Sequence, residues 1–112
     1  MNGAELFIKR TAMGLEVEHA ASVLGINRRT LQRWETGQNV VPPDIQILME
    51  EHWQEWIETL DNLLAETDSL ADPGQPIHLI AYRDSQLAAK NAALAVLLEM
   101  ADRGFTAEWT AG

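Results

Sequence analysis

The sequence contains no cysteine, which excludes disulfides, a cysteine nucleophile and thiolate metal sites. No apolar run approaches the ~18–20 residues of a membrane-spanning helix. The opening stretch, MNGAELFIKRTAMGLEVEHA, lacks a basic start followed by an uncharged apolar segment, so no signal peptide is read there and a cytoplasmic location is expected. Positive charge is scarce, with 8 Lys+Arg against 17 Asp+Glu and a formal net charge of −9. Taken whole, that balance argues against a polyanionic partner, because phosphate binding needs a basic surface. No Gly-rich phosphate loop, Ser/His/Asp set or spaced carboxylate pair stands out, so no catalytic residue and no enzyme activity are expected. His19, His52 and His78 have no i, i+4 partner of metal-ligand type, so neither a metal nor a cofactor is expected. What is present, 46% hydrophobic residues in a chain of 112, is the composition of one globular domain or a small module with an appendage.

The charge is unevenly spread. Residues 1–43 hold five basic residues (Lys9, Arg10, Arg28, Arg29, Arg33) and four acidic ones, whereas residues 44–112 hold three basic and thirteen acidic residues. Such asymmetry between two halves of a chain points to a division of labour.

The first half reads as three short helices. Asn2 with Glu5 resembles a capping box and starts a helix running to Met13, with Gly14 placed as a left-handed C-cap. A second helix spans Val17 to Leu24 and closes at Gly25; Asn27 then caps a third, about 28–36, which ends at Gly37. After Pro42-Pro43 no Gly or Pro interrupts the chain from Asp44 to about Thr67. Met49, Trp53, Trp56, Leu60 and Leu63 recur there at spacings of 4, 3, 4 and 3, a heptad seam on one long amphipathic helix. At 1.5 Å per residue such a helix is about 35 Å long, more than a three-helix unit covers. Its seam is therefore read as core or dimer interface rather than a ligand pocket, and its acidic residues between 50 and 61 as a solvated face or, alternatively, a site for a basic protein. Residues 68–76 read as a loop, 76–82 and 105–110 as strands, and the Ala/Leu-rich segment from Gln86 to Asp102 as a helix. A strand–helix–strand order makes the two strands parallel if they share a sheet. Two strands alone are marginal, so pairing with a second copy, or support from the long helix, is expected.

Within Gly14–Gly37 the chain reads GLEVEHAASVLGINRRTLQRWETG. The Ala20-Ala21 pair, the turn Leu24-Gly25-Ile26, the apolar Leu31 and Trp34, and the ending Trp34-Glu35-Thr36-Gly37 resemble the helix-turn-helix of the Cro/phage-repressor (XRE-like) family. The likeness covers roughly residues 3–50. It implies a second helix braced across the phosphate backbone and a third entering the major groove of double-stranded DNA. It also implies that Arg28, Arg29 and Arg33 stand at base-reading positions, and that Arg10 forms a structural ion pair with Glu35. Independently of the resemblance, Leu31 and Trp34 lie three apart and should face inward, leaving Asn27, Arg28, Arg29, Gln32 and Arg33 outward. Arginine can bind guanine O6/N7 bidentately, and Asn or Gln can read adenine; the plainer alternative is a solvated helix face. Two departures from the family pattern reduce phosphate contacts: Val17 stands where a Gln is common, and Gln38, Asn39, Val40 and Val41 carry no charge. The extension beyond residue 43 is similar to that of short YdiL-like bacterial helix-turn-helix proteins.

The expected architecture is mainly α. A helix-turn-helix region over 1–43 is completed by the start of the next helix, followed by a long helix over 44–67 and a strand–helix–strand assembly extension over 68–112. The expected function is a homodimeric, sequence-specific DNA-binding transcriptional regulator of a bacterial type. The alternative is an antitoxin or adaptor-type module whose acidic C-terminal part binds a partner protein. The two differ in whether DNA or protein is the primary partner.

Overall fold

The computed structural model describes residues 1–70 and 75–111. Its elements are α1 (Gly3–Ala12), α2 (Val17–Leu24), α3 (Arg28–Glu35), α4 (Pro43–Leu70), β1 (Ile77–Ala81), α5 (Ser85–Met100) and β2 (Phe105–Trp109). The protein is mainly α, with an N-terminal helix-turn-helix, a long fourth helix and a small strand–helix–strand extension. It divides into two compact units, Met1–Trp56 and Ile57–Gly112, with the boundary inside α4.

In the first unit, local chemistry sets the helix ends. The Asn2 side chain accepts the Glu5 N–H at 2.9 Å and starts α1. Gly25, at φ 71° with open space around it, ends α2 in the left-handed conformation that glycine adopts without a Cβ penalty. The Ile26 N–H closes that end on the Ala21 carbonyl at 2.9 Å, and the Ile26 side chain turns in against the core. Leu6 from α1 and Met13 at its C-cap, Ala20, Ala21 and Leu24 from α2, and Leu31 and Trp34 from α3 enclose that core, closed by Val41, Ile45 and Met49. Burying one large apolar side chain is worth about 1.5–3 kcal/mol, so the cluster offsets the chain entropy of a small unit. Gly3 lets α1 approach the end of α3: a Cβ there would lie 1.8 Å from the Trp34 carbonyl oxygen.

In the second unit, β1 and β2 pair in parallel, with Ile77 opposite Phe105 and Ala81 opposite Trp109. The two strands thus pair with each other, and α5 supplies the crossover a parallel pair requires. Leu79 of β1 packs with Leu94, Ala95 and Leu98 of α5, joined by Leu63 and Leu64 of α4. The expected support from the long helix is therefore present.

The ends of α4 and α5 differ from the sequence reading. The long helix continues through Leu70 rather than stopping near Thr67. The Thr67 and Ser69 hydroxyls donate to the carbonyls of Leu64 and Glu66, both at 2.8 Å, so these polar residues ride in the last turns instead of breaking them. Of the loop expected over 68–76, residues 71–74 lie outside the described residues. α5 stops at Met100 rather than Asp102, because Asp102 adopts φ 58° and Arg103 N–H returns to the Leu98 carbonyl at 2.9 Å. Asp tolerates that left-handed conformation better than most residues.

Candidate nucleic-acid interface

α3 is an eight-residue helix with two sharply different faces. Leu31 is fully buried and Trp34 nearly so, which anchors the helix and fixes its rotation. Arg28, Arg29, Gln32 and Arg33 are all exposed, and at 100° per residue they fall on one side. Asn27, Arg28, Arg29 and Gln32 line a shared shallow concavity at the N-terminal end of the helix.

The outward residues are not equivalent. Asn27 is the N-cap: its Oδ1 accepts the Thr30 N–H at 2.8 Å and the Thr30 hydroxyl at 2.9 Å. Its carboxamide oxygen is thus engaged in starting α3, a structural task alongside the binding role expected from the sequence. Arg28 Nη1 donates to Glu18 Oε1 of α2 at 3.1 Å, with both side chains largely in solvent. Such a pair contributes little stability, but it holds the guanidinium toward α2. Glu18 was not flagged by the sequence, where it stands ten positions away with no periodic relation to α3. The Arg29, Gln32 and Arg33 side chains form no hydrogen bond or ion pair among the described residues.

Beneath this face, Arg10 Nε and Nη2 donate to the two carboxylate oxygens of Glu35 at 2.7 and 3.0 Å. Arg10 Nη1 also donates to the Leu15 carbonyl at 2.9 Å. The pair is mostly shielded, with 13% and 8% of the side chains exposed. It ties α1, the segment before α2 and the end of α3 together through a bidentate, charge-assisted contact. The Arg10 guanidinium also lies 5.1 Å from the centre of the Phe7 ring.

The heptad residues of α4 part company. Met49 is buried in the first core, and Trp53 and Trp56 pack against that core. Leu63 packs in the second unit, and Leu60 is half-buried. Lys9 of α1 reaches this region, bonding Glu50 Oε2 at 2.7 Å and lying 5.7 Å from the centre of the Trp53 ring. That contact, with a second hydrogen bond from Gln54, holds the Glu50 carboxyl below its ordinary value. Among the described residues there is no cluster of three or more His, Asp or Glu side chains suited to a metal. No helix among them is long and apolar enough to cross a membrane.

No protein-family model matches the chain. A protein of Pyrococcus horikoshii, named as a candidate HTH-type transcriptional regulatory protein, is 28% identical to it over 81 residues. The match takes in 71% of this chain and 26% of the relative. The chain therefore spans about a quarter of the length of the curated relative it matches.

Proposed function

We propose that the protein is a sequence-specific DNA-binding transcriptional regulator that acts as a homodimer and reads the major groove with α3. The observation that carries this reading is the two-faced recognition helix. Leu31 and Trp34 lock α3 into the core, while Arg29, Gln32 and Arg33 project outward without partners among the described residues. An arginine held on a rigid helix can deliver a bidentate contact to guanine, worth about 1–3 kcal/mol of discrimination. Arg28 must leave Glu18, or share it, to reach DNA. That exchange is inexpensive at an exposed site. The helix-turn-helix regulatory name of the Pyrococcus horikoshii relative supports the same class.

Few basic residues flank α3, and Gln38 to Val41 are uncharged. Binding should therefore rest on base contacts more than on phosphate neutralisation, with a shallow fall of affinity as salt rises. Selection of bound sequences from a random duplex pool, repeated at two salt concentrations, tests this directly. A palindromic enriched site supports both groove reading and the dimer; no enrichment at either salt concentration defeats the proposal.

The second reading is an antitoxin or adaptor-type module in which the acidic C-terminal part engages another protein. The exposed apolar surface of α5 and β2 favours it. In that case the pool selection yields no preferred sequence.

A further inference from the structure

β2 is exposed at every position, which is unusual for a strand carrying Phe105 and Trp109. Its environment explains why. Ile77 N–H donates to the Gly104 carbonyl and Thr110 N–H to the Ala81 carbonyl. In the parallel register this directs the backbone groups of Thr106 and Glu108 toward β1. Those of Phe105, Ala107 and Trp109 then point to the opposite edge, where β2 has no neighbour among the described residues. The outer edge of β1 is different: Asn91 Nδ2 of α5 caps the Ile80 carbonyl at 2.6 Å.

α5 packs chiefly over β1 and leaves the same face of β2 uncovered. The gap is a groove of about 630 Å³. One wall is the stripe Ala88, Ala92, Val96 and Met100, spaced i, i+4, i+8, i+12 along α5; the floor is Phe105, Ala107 and Trp109. Val96 is 60% exposed, Met100 77% and Trp109 62%. An open strand edge beside a contiguous apolar groove marks an interaction surface.

We propose that a second copy of this chain covers it: β2 pairs antiparallel with the partner subunit's β2 about a two-fold axis at Ala107, and the two α5 helices straddle the joined strands. The inference deepens the dimeric part of the function proposed above by naming its interface. Three observations select a second copy over other apolar occupants. First, the outward backbone groups are centred on Ala107. A two-fold there makes Ala107 face the partner's Ala107, and Phe105 face the partner's Trp109, each as a hydrogen-bonded pair that exchanges both N–H···O bonds. No outward group of the strand is left over. Second, the same register juxtaposes aromatic rings across the strands, a favourable cross-strand pairing, while the small Ala107 leaves room on the axis. Third, the charges complement one another. Glu99 lies beside Gly104 at the Phe105 end of β2, its Oε1 3.9 Å from where a Gly104 Cβ would be. Arg83 lies over the Trp109 ring, 4.7 Å from its centre, at the other end. Antiparallel pairing brings Glu99 of each subunit toward the partner's Arg83, and sets the two α5 dipoles antiparallel. An isologous interface of this kind closes at two subunits.

The test uses the full chain without DNA, so its outcome is independent of groove reading. Sedimentation equilibrium at about 100 µM should give twice the 12.5 kDa chain mass. Val96→Glu and Met100→Glu alter exposed side chains and should leave helical circular dichroism intact. Each should raise the dimer dissociation constant at least about 100-fold, because a charge is buried unpaired on both sides of the axis. Since the chain lacks cysteine, Ala107→Cys offers one thiol per subunit for a short bifunctional thiol reagent. Rapid dimeric cross-linking, abolished when Met100→Glu is added, is the expected result. A wild-type monomer at that concentration overturns both the interface and the dimeric reading. A wild-type dimer that survives Val96→Glu and Met100→Glu, or in which Ala107→Cys does not cross-link, overturns the interface alone.

Discussion

The two units arrange their exposed apolar side chains differently: Phe7, Ile8, Val40 and Ile47 are distributed over α1, the segment before α4 and α4 itself, whereas Val96, Met100, Phe105 and Trp109 line one groove. In Met1–Trp56, short helices close around Leu6, Leu31 and Met49, and the shielded Arg10–Glu35 pair has its hydrogen bonds made. In Ile57–Gly112, a smaller core of Leu79, Leu94, Ala95 and Leu98 leaves one strand and one flank of a helix in water. The first unit closes its own core, and the outward face of its α3 is polar and available to a ligand. The second displays apolar surface and an open strand edge, which suit association of polypeptides. The charge imbalance does not follow this boundary, because Asp44, Glu50, Glu51 and Glu55 of α4 belong to the first unit; the outward basic residues are concentrated on α3.

The first core is the most sensitive part of the molecule. Trp34→Ala should cost about 3–5 kcal/mol, seen as a much lower thermal unfolding midpoint, whereas Trp109→Ala on the exposed strand should leave helical content unchanged. Next comes Arg10→Met, which strands Glu35 in a shielded position and should cost about 3 kcal/mol in denaturant unfolding. Arg29→Ala should not alter stability measurably. It should instead cost about 1–3 kcal/mol in binding to the selected site and relax the preference at one base position, read by competition with site variants. The smallest effect concerns Glu50, whose carboxyl is held below the usual 4.5 by the hydrogen bond from Lys9 and then that from Gln54. A depressed carboxylate contributes stability above its unfolded pKa and loses it as pH falls through the folded value. Unfolding midpoints followed below about pH 5 should therefore decline less steeply in Glu50→Gln than in the wild type.

The helix-turn-helix was legible because its signals are local. Asn2 and Asn27 cap helices, Gly25 ends one, and the spacing of Leu31 and Trp34 assigns the buried side of α3 without knowledge of the rest. The ends of α4 and α5 were less legible. Ser69 reads as a loop residue until its hydroxyl is seen bonding back into the helix, and Asp102 takes a left-handed turn one residue beyond the α5 C-cap, Ala101. Contacts across sequence distance were hidden, apart from the Arg10–Glu35 pair that the family resemblance implied. Nothing local marks Gly3 as the point where α1 meets the Trp34 carbonyl, or Glu18 as the partner of Arg28. The groove in the second unit escaped for another reason. α5 is apolar nearly all round, so its periodicity does not separate the side packed on β1 from the stripe Ala88, Ala92, Val96 and Met100. That separation depends on where the strands lie. The 4-3 spacing along α4 likewise drew attention to a seam whose Met49 is spent on the first core.

The central claim is that the outward arginines of α3 carry sequence-specific binding. Its most direct test is the affinity of the Arg28/Arg29/Arg33→Ala variant for the wild-type's selected DNA site, measured beside that of the wild type at the same salt concentration. The variant should keep its helical content yet bind the site no better than unrelated duplex. Equal affinity of variant and wild type for that site would contradict it.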